Sequence, residues 1–163
     1  MEEFKSQWAY FPQWIRIASA MLIILLAILL IYADIEGYEW LALLIIAVLI
    51  LLFTPLIIAA RSRVEIDSEY IHIRYWPLIT LKVRIEDIEE VQFQDNIASP
   101  ISRYGGIGLS IAAERSSIGI SDGHPIFINT GDKIYETLIP DANDVENLKL
   151  YLQRVGVEVQ TLK

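Results

Sequence analysis

The spacing of hydrophobic and polar positions divides this chain into two parts. Residues 17–33 and 40–60 are two uncharged, almost wholly apolar runs with six residues between them. At about 1.5 Å of rise per residue, helices of this length match a hydrocarbon core of about 30 Å. Lipid offers no partners to peptide groups, so each run is predicted to be a helix. The first run holds ten Leu or Ile residues, each favouring insertion by roughly 0.3 to 0.6 kcal/mol. Ser19, Tyr32, Thr54 and Pro55 are only mildly unfavourable there. A cleaved signal peptide fits poorly, because Ile31-Tyr32-Ala33 is a poor cut site and a second apolar run follows at once.

From Val64 onward the period shortens to two. Val64 and Ile66 are apolar at even positions, whereas Ile71, Ile73 and Tyr75 are apolar at odd ones. Such alternation marks half-buried antiparallel strands, and directly paired residues share a face. A turn at Ser68-Glu69 therefore pairs Ile66 with Ile71 and Glu65 with His72. Ile79, Leu81, Val83 and Ile85 give a third strand. Its loop, Trp76-Pro77-Leu78, pairs Tyr75 with Ile79, His72 with Lys82 and Tyr70 with Arg84. Further strands are expected at 91–93, 107–112, 118–121, 126–128 and 134–139, the last two forming a hairpin around Thr130-Gly131-Asp132-Lys133. Asp141 caps a closing helix whose stripe is Val145, Leu148, Leu152 and Val155, and Gly156 ends it. Ile73, Leu81, Phe127, Leu148 and Leu152 are predicted to share the core.

Charge orients this arrangement. Lys5 and Arg16 precede the first apolar run, Arg61 and Arg63 follow the second, and the connector 34–39 has no Lys or Arg. Both termini are therefore expected in the cytoplasm, on a multi-pass protein of the cell membrane. Trp8, Tyr10, Phe11 and Trp14 before the first run, with Tyr32, Tyr38 and Trp40 around the connector, fit two aromatic belts at the headgroups. The expected organisation is an aromatic segment and helical hairpin over 1–62, with spans at about 15–33 and 40–60, then a cytoplasmic domain over 63–163.

The strand order, followed by one amphipathic helix, resembles that of a pleckstrin-homology domain. Arg103-Tyr104-Gly105-Gly106-Ile107-Gly108, a hairpin around Gly131-Asp132, and Pro140-Asp141 opening a helix carry a closer likeness. With them the chain resembles prokaryotic membrane proteins that follow a two-helix transmembrane hairpin with a pleckstrin-homology-like domain. The resemblance implies a membrane α-helical hairpin plus an α+β domain. That domain would be a pleckstrin-homology-like antiparallel β-sandwich or barrel of about seven strands, capped by a C-terminal helix. It implies no catalytic residues.

Candidate chemistry is sparse. The absence of Cys removes disulfides, thiolate catalysis and Cys-ligated zinc together. The chain has a net charge of −8, which argues against a nucleic-acid partner, because phosphate backbones call for a basic protein. The glycine cluster lacks the Gly-Lys-Ser/Thr ending of a nucleotide loop and precedes a strand pattern, so it reads as a structural turn. His72 and His124 have no second ligand in view, and neither a nucleophile elbow nor a catalytic acid pair is present. No enzyme activity, cofactor or metal is expected.

One face stands out from this background. Arg74, Lys82 and Arg84 share the outward side of the second and third strands with His72, and Trp76 and Leu78 form an apolar loop tip. These are the candidate lipid or partner contacts, each cation worth on the order of 1 kcal/mol near an anionic leaflet. The alternative is that Glu65 and Asp67 neutralise the cations while the loop packs internally. Three functions follow from this reading. The first is a binding or assembly module at the inner membrane surface, meeting a protein partner or a second copy of itself. The second is a surface sensor of anionic lipid headgroups, and the third an accessory subunit of a transporter or membrane enzyme.

Overall fold

A computed structural model describes residues 3–36, 40–100, 103 and 108–162, with backbone alone for 33–36 and 40–42. Tyr38 and the rest of 37–39, and 104–107 of the glycine cluster, lie outside the described residues. Contacts divide the chain into two compact units, Phe11–Ala60 and the combination of Met1–Tyr10 with Arg61–Lys163.

The first unit is a pair of helices, α1 (Gln13–Glu36) and α2 (Trp40–Ala59). Within α1 the stretch Gln13–Tyr32 is long and apolar enough to cross a membrane, and the apolar stretch Leu43–Ala59 of α2 is shorter. The two helices pack on each other. Leu26, Ala47 and Thr54 are buried, while Met21, Ile24, Leu25, Ile28, Leu44, Val48 and Phe53 are exposed.

The second unit is an α+β fold built on two sheets. Sheet A contains β1 (Phe4–Lys5), β2 (Ala9–Tyr10), β3 (Arg61–Ile66), β4 (Tyr70–Trp76) and β5 (Ile79–Arg84). The order is β1-β3-β4-β5, and β2 also pairs with β3. Every register expected from parity is present: Ile66 faces Ile71, Glu65 faces His72, His72 faces Lys82, Tyr75 faces Ile79 and Tyr70 faces Arg84.

The N-terminal aromatic segment departs from expectation. It supplies strands to this sheet, pairing Phe4 with Ile66, Ala9 with Ser62 and Tyr10 with Arg61. Between the two strands, Ser6 N–H donates to Val64 O at 2.9 Å, and Val64 N–H donates to Ser6 Oγ at 3.0 Å. Strand β3 accordingly begins at Arg61, earlier than the apolar alternation.

A 3₁₀ turn at Ile85–Asp87 leads to sheet B. Its strands are β6 (Glu90–Gln94), β7 (Leu109–Ile111), β8 (Arg115–Ile118), β9 (His124–Asn129), β10 (Ile134–Ile139) and β11 (Val159–Leu162). They lie in the order β11-β6-β9-β10-β8-β7. The hairpin joining β9 to β10 is as expected, with Gly131 at φ +78°. Three features are not. Strand β8 ends at Ile118, where the expected strand starts; β8 runs parallel to β10; and β11 runs parallel to β6. The described residues form eleven short strands in two sheets, more than the seven or so expected, and no closed barrel is present among them.

Helix α3 (Ala142–Arg154) closes the unit. Asp141 caps it by accepting from Asn143 N–H at 2.7 Å, and Gly156, at φ +83°, lets the chain turn away. Val145, Leu148 and Leu152 are buried, joining Ile66, Ile71, Ile73, Phe93, Ile126, Ile128 and Leu138 in the core. Two assigned core residues move. Leu81 is half-buried because β5 is an edge strand. Phe127 lies on the other face of β9 from Ile126 and Ile128, beneath the guanidiniums of Arg103 and Arg115.

Truncating a side chain as enclosed as Leu148 removes its transfer free energy and leaves a cavity, so Leu148→Ala should cost roughly 2 to 5 kcal/mol. Urea unfolding of the purified chain in neutral detergent measures it. A loss within about 0.5 kcal/mol, the range of ordinary surface substitutions, would place α3's stripe outside the core.

Candidate functional site

Alternation collects an unusual set of charges on the outward face of sheet A. Ser62, Val64 and Ile66 point inward on β3, as do Ile71, Ile73 and Tyr75 on β4. That leaves Arg61, Arg63 and Glu65 outward on β3, His72, Arg74 and Trp76 on β4, and Thr80, Lys82 and Arg84 on β5. Register sets Arg63 directly opposite Arg74, a like-charge pair that destabilises a sheet unless something bridges it. Glu65 does so. Its carboxylate is almost fully buried, taking Arg74 Nε at 2.6 Å through one oxygen and Arg63 through the other.

The aromatic residues do comparable work at the end of the sheet. Arg61 Cζ lies 4.4 Å from the Trp8 ring centre and 5.0 Å from that of Trp76, and Arg63 Cζ lies 4.1 Å from Trp8. Cation–π contact of this kind contributes about 0.5 to 2 kcal/mol per pair, depending on desolvation. The cations remain crowded: burial, then the like charges of Arg74 and Arg61, push the Arg63 pKa below its ordinary value. A cleft of about 320 Å³ opens beside this cluster, lined by Trp8, Arg61, Arg74, Trp76, Pro77 and Thr80 among others.

The candidate contacts named from sequence fall partly within this cluster. Arg74 belongs to it through Glu65. Trp76 and Leu78 are 47% and 55% exposed, so the loop tip is open to solvent and not packed internally. Lys82 is exposed. Arg84 is exposed too, and is held by the Tyr70 hydroxyl and then by Glu86 at 3.2 Å, which together raise its pKa. Glu65 therefore neutralises Arg74 but neither Lys82 nor Arg84, and Asp67 bonds His72 instead, at 2.8 Å.

Trp8, Arg61 and Arg63 are functional candidates that the sequence reading assigns to the membrane flanks. The signal for the two arginines was present, since Arg61, Arg63 and Glu65 continue the period-two pattern backward from Val64.

A second ionic cluster sits on sheet B. Glu136, with no exposed surface, receives both Arg103 and Arg115, and Phe127 lies under the two guanidiniums. Register explains the contact, because Glu136 pairs directly with Phe127. Nearby Gly108 takes φ +70°, and a Cβ there would collide with the backbone of Gly119, which accounts for one glycine of the cluster. Among the described residues no three His, Asp or Glu side chains converge to hold a metal ion.

No protein-family model matches the chain, and no curated protein is significantly similar to it.

The Asp67 carboxylate is held down to about 2, first by Glu69 N–H, then by His72 and Tyr70 N–H, all at 2.8 Å. A folded pKa below the unfolded value of about 3.9 stabilises above that value, and the contribution is lost as pH falls towards about 2. Urea midpoints of the wild-type chain should therefore fall between about pH 4 and pH 2, and Asp67→Asn should flatten that part of the profile. An unchanged slope would remove Asp67 from the acid response.

Proposed function

We propose that the chain is a membrane-anchored cytoplasmic module that lays the basic outward face of sheet A, with its Trp76–Leu78 tip, against anionic lipid headgroups. The observation that carries this reading is where the face ends. Trp76 pairs with Arg61, Arg61 pairs with Tyr10, only Phe11 and Pro12 separate Tyr10 from α1, and only Ala60 separates α2 from β3. The exposed tip and the stacked arginines thus occupy the end of the sheet at which the chain leaves for, and returns from, the apolar helices.

In this reading α1 and α2 form a transmembrane hairpin with both termini in the cytoplasm, and the folded unit is pleckstrin-homology-like, as the sequence resemblance implies. The Tyr10–Arg61 pair supports the hairpin on physical grounds, because it brings the two ends of the helical unit to adjacent strands and so requires an even number of crossings. The long apolar stretch of α1, the exposed apolar surface of both helices and the lack of Lys or Arg in 34–39 point the same way. Each exposed cation adds on the order of 1 kcal/mol of attraction to an anionic surface, screened over about 8 Å at physiological ionic strength.

A second reading, an assembly module that binds a protein or another copy of itself, is favoured by one observation. Strand β5 ends sheet A, and its outer edge has no strand partner among the described residues.

Reporter fusions after Glu36 and at the C-terminus should report opposite sides of the membrane; a cytoplasmic signal from the Glu36 fusion would exclude the hairpin. The chain has no cysteine, so Leu78→Cys accepts a single environment-sensitive fluorophore. In reconstituted bilayers its emission should shift to the blue when anionic lipid is present and return with added salt. Replacing Arg74, Lys82 and Arg84 together with Gln should abolish the shift. A label blind to anionic lipid at low salt would leave the assembly reading, to be pursued by crosslinking in native membranes.

A further inference from the structure

Arg61 differs from the other arginines around it. Glu65 takes Arg63 and Arg74, and Arg84 has Glu86, but Arg61 has no carboxylate partner among the described residues. It meets only the faces of Trp8 and Trp76. A guanidinium carries five N–H donors in its plane, and contact with the face of an aromatic ring uses none of them. The Nε atoms of Arg61 and Arg63 are both buried without a hydrogen-bond partner. Trp8 and Trp76 reach Arg61 from the segments paired on either side of β3, which restricts the guanidinium and lowers the entropy lost when a ligand docks.

We propose that Arg61, clamped between Trp8 and Trp76, is the centre of a discrete binding site for one phosphate group, with Arg74 and the Thr80 hydroxyl lining the same cleft. The inference rests on the reading that this face meets headgroups, and changes it from diffuse attraction to a stoichiometric contact.

Charge selects the ligand class. The three guanidiniums of Arg61, Arg63 and Arg74, set against the single carboxylate of Glu65, leave two positive charges in excess. A phosphate monoester carries about −1.5 to −2 at neutral pH and offers several strong acceptor oxygens to planar donors. A carboxylate matches half of that charge. The cleft, at about 320 Å³, admits a phosphate group with space for what it is attached to. The same chemistry is offered by a lipid headgroup and by free phosphate.

The test uses the full chain. Trp14→Phe and Trp40→Phe leave Trp8 and Trp76 as its only tryptophans, so indole emission reports the clamp. In neutral maltoside micelles, inorganic phosphate is titrated against chloride at matched ionic strength. In bilayers, phosphatidic acid is compared with a fatty acid at equal negative charge. Saturable emission changes are expected with inorganic phosphate if free phosphate is the source, and only with phosphatidic acid if the headgroup is.

In either arm Arg61→Lys, which keeps the charge and loses the stacked fork, should weaken the response by about tenfold or more. Trp76→Leu, at an exposed side chain, removes one wall without entering the core and should weaken it as well. Equal binding by Arg61→Lys, a response that follows charge regardless of phosphate, or no response in both arms overturns the site. If the label at Leu78 still reports adsorption in that event, the membrane-surface reading stands without it. Arg61-dependent binding of inorganic phosphate with a silent label has the opposite meaning, a phosphate site on a face that does not rest on lipid.

Discussion

The pairing of residues 4–10 with β3 is the constraint on which the rest of the molecule depends. It makes β3 an interior strand with partners on both sides, and it brings Trp8 over Arg61 and Arg63. It also reaches α3: Gln7 N–H donates to Asp144 Oδ2 at 2.6 Å, and its side-chain amide to Asp141 Oδ2 at 3.2 Å. The segment thus engages the first turn of α3 at the carboxylates that cap and support its positive end. Paired strands lie about 5 Å apart, so Tyr10 and Arg61, where the chain leaves for the helical unit and returns from it, are held that close. The apolar helices are an insertion between two strands of one sheet.

Electrostatics gives each sheet its own anchor. On both, one buried glutamate is shared by two arginines: Glu65 by Arg63 and Arg74, Glu136 by Arg103 and Arg115. Desolvating a carboxylate costs several kcal/mol, and paired guanidiniums offset much of that without producing a large net gain. The larger effect is on register. A slip of one residue along β3 would turn Glu65 towards Ile71 and Ile73 and push Val64 into solvent, so a buried carboxylate with one acceptable position discriminates against every neighbouring alignment.

The registers of sheet A from β3 to β5 were legible to the residue, though not the strand ends at Arg61 and Arg84, because polar and apolar positions alternate cleanly and parity permits only one set of partners. Strands β1 and β2 were not, since two residues carry no period. Arg61 and Arg63 satisfied two patterns at once, the cationic flank of an apolar helix and the outward positions of a strand, and the flank was the more conspicuous. In Ile126-Phe127-Ile128 three apolar residues in succession conceal which parity faces the core; the decision comes from Glu136, opposite Phe127 across the hairpin, and from the two arginines it holds. Parallel contacts such as β6 with β11 join segments far apart in the chain, with α3 between them, and nothing local announces them. Of the basic face, Arg74, Lys82, Arg84, Trp76 and Leu78 were visible in advance. The stacked half built on Trp8 and Arg61 was not.

The inserted helices also set an order of events during synthesis. The ribosome delivers residues 4–10 first, and their partner β3 only after all of α1 and α2 has been made, at about 5 to 20 residues per second. Until Arg61 and the segment after it have emerged, sheet A lacks its spine and Gln7 has no helix to hold. In the transmembrane-hairpin reading proposed above, a nascent chain whose second helix fails to return could not bring Tyr10 and Arg61 together, so folding of sheet A would select molecules whose helical pair has been placed correctly. On that reading folding would double as a proofreading step for insertion, leaving misinserted copies with unpaired strands.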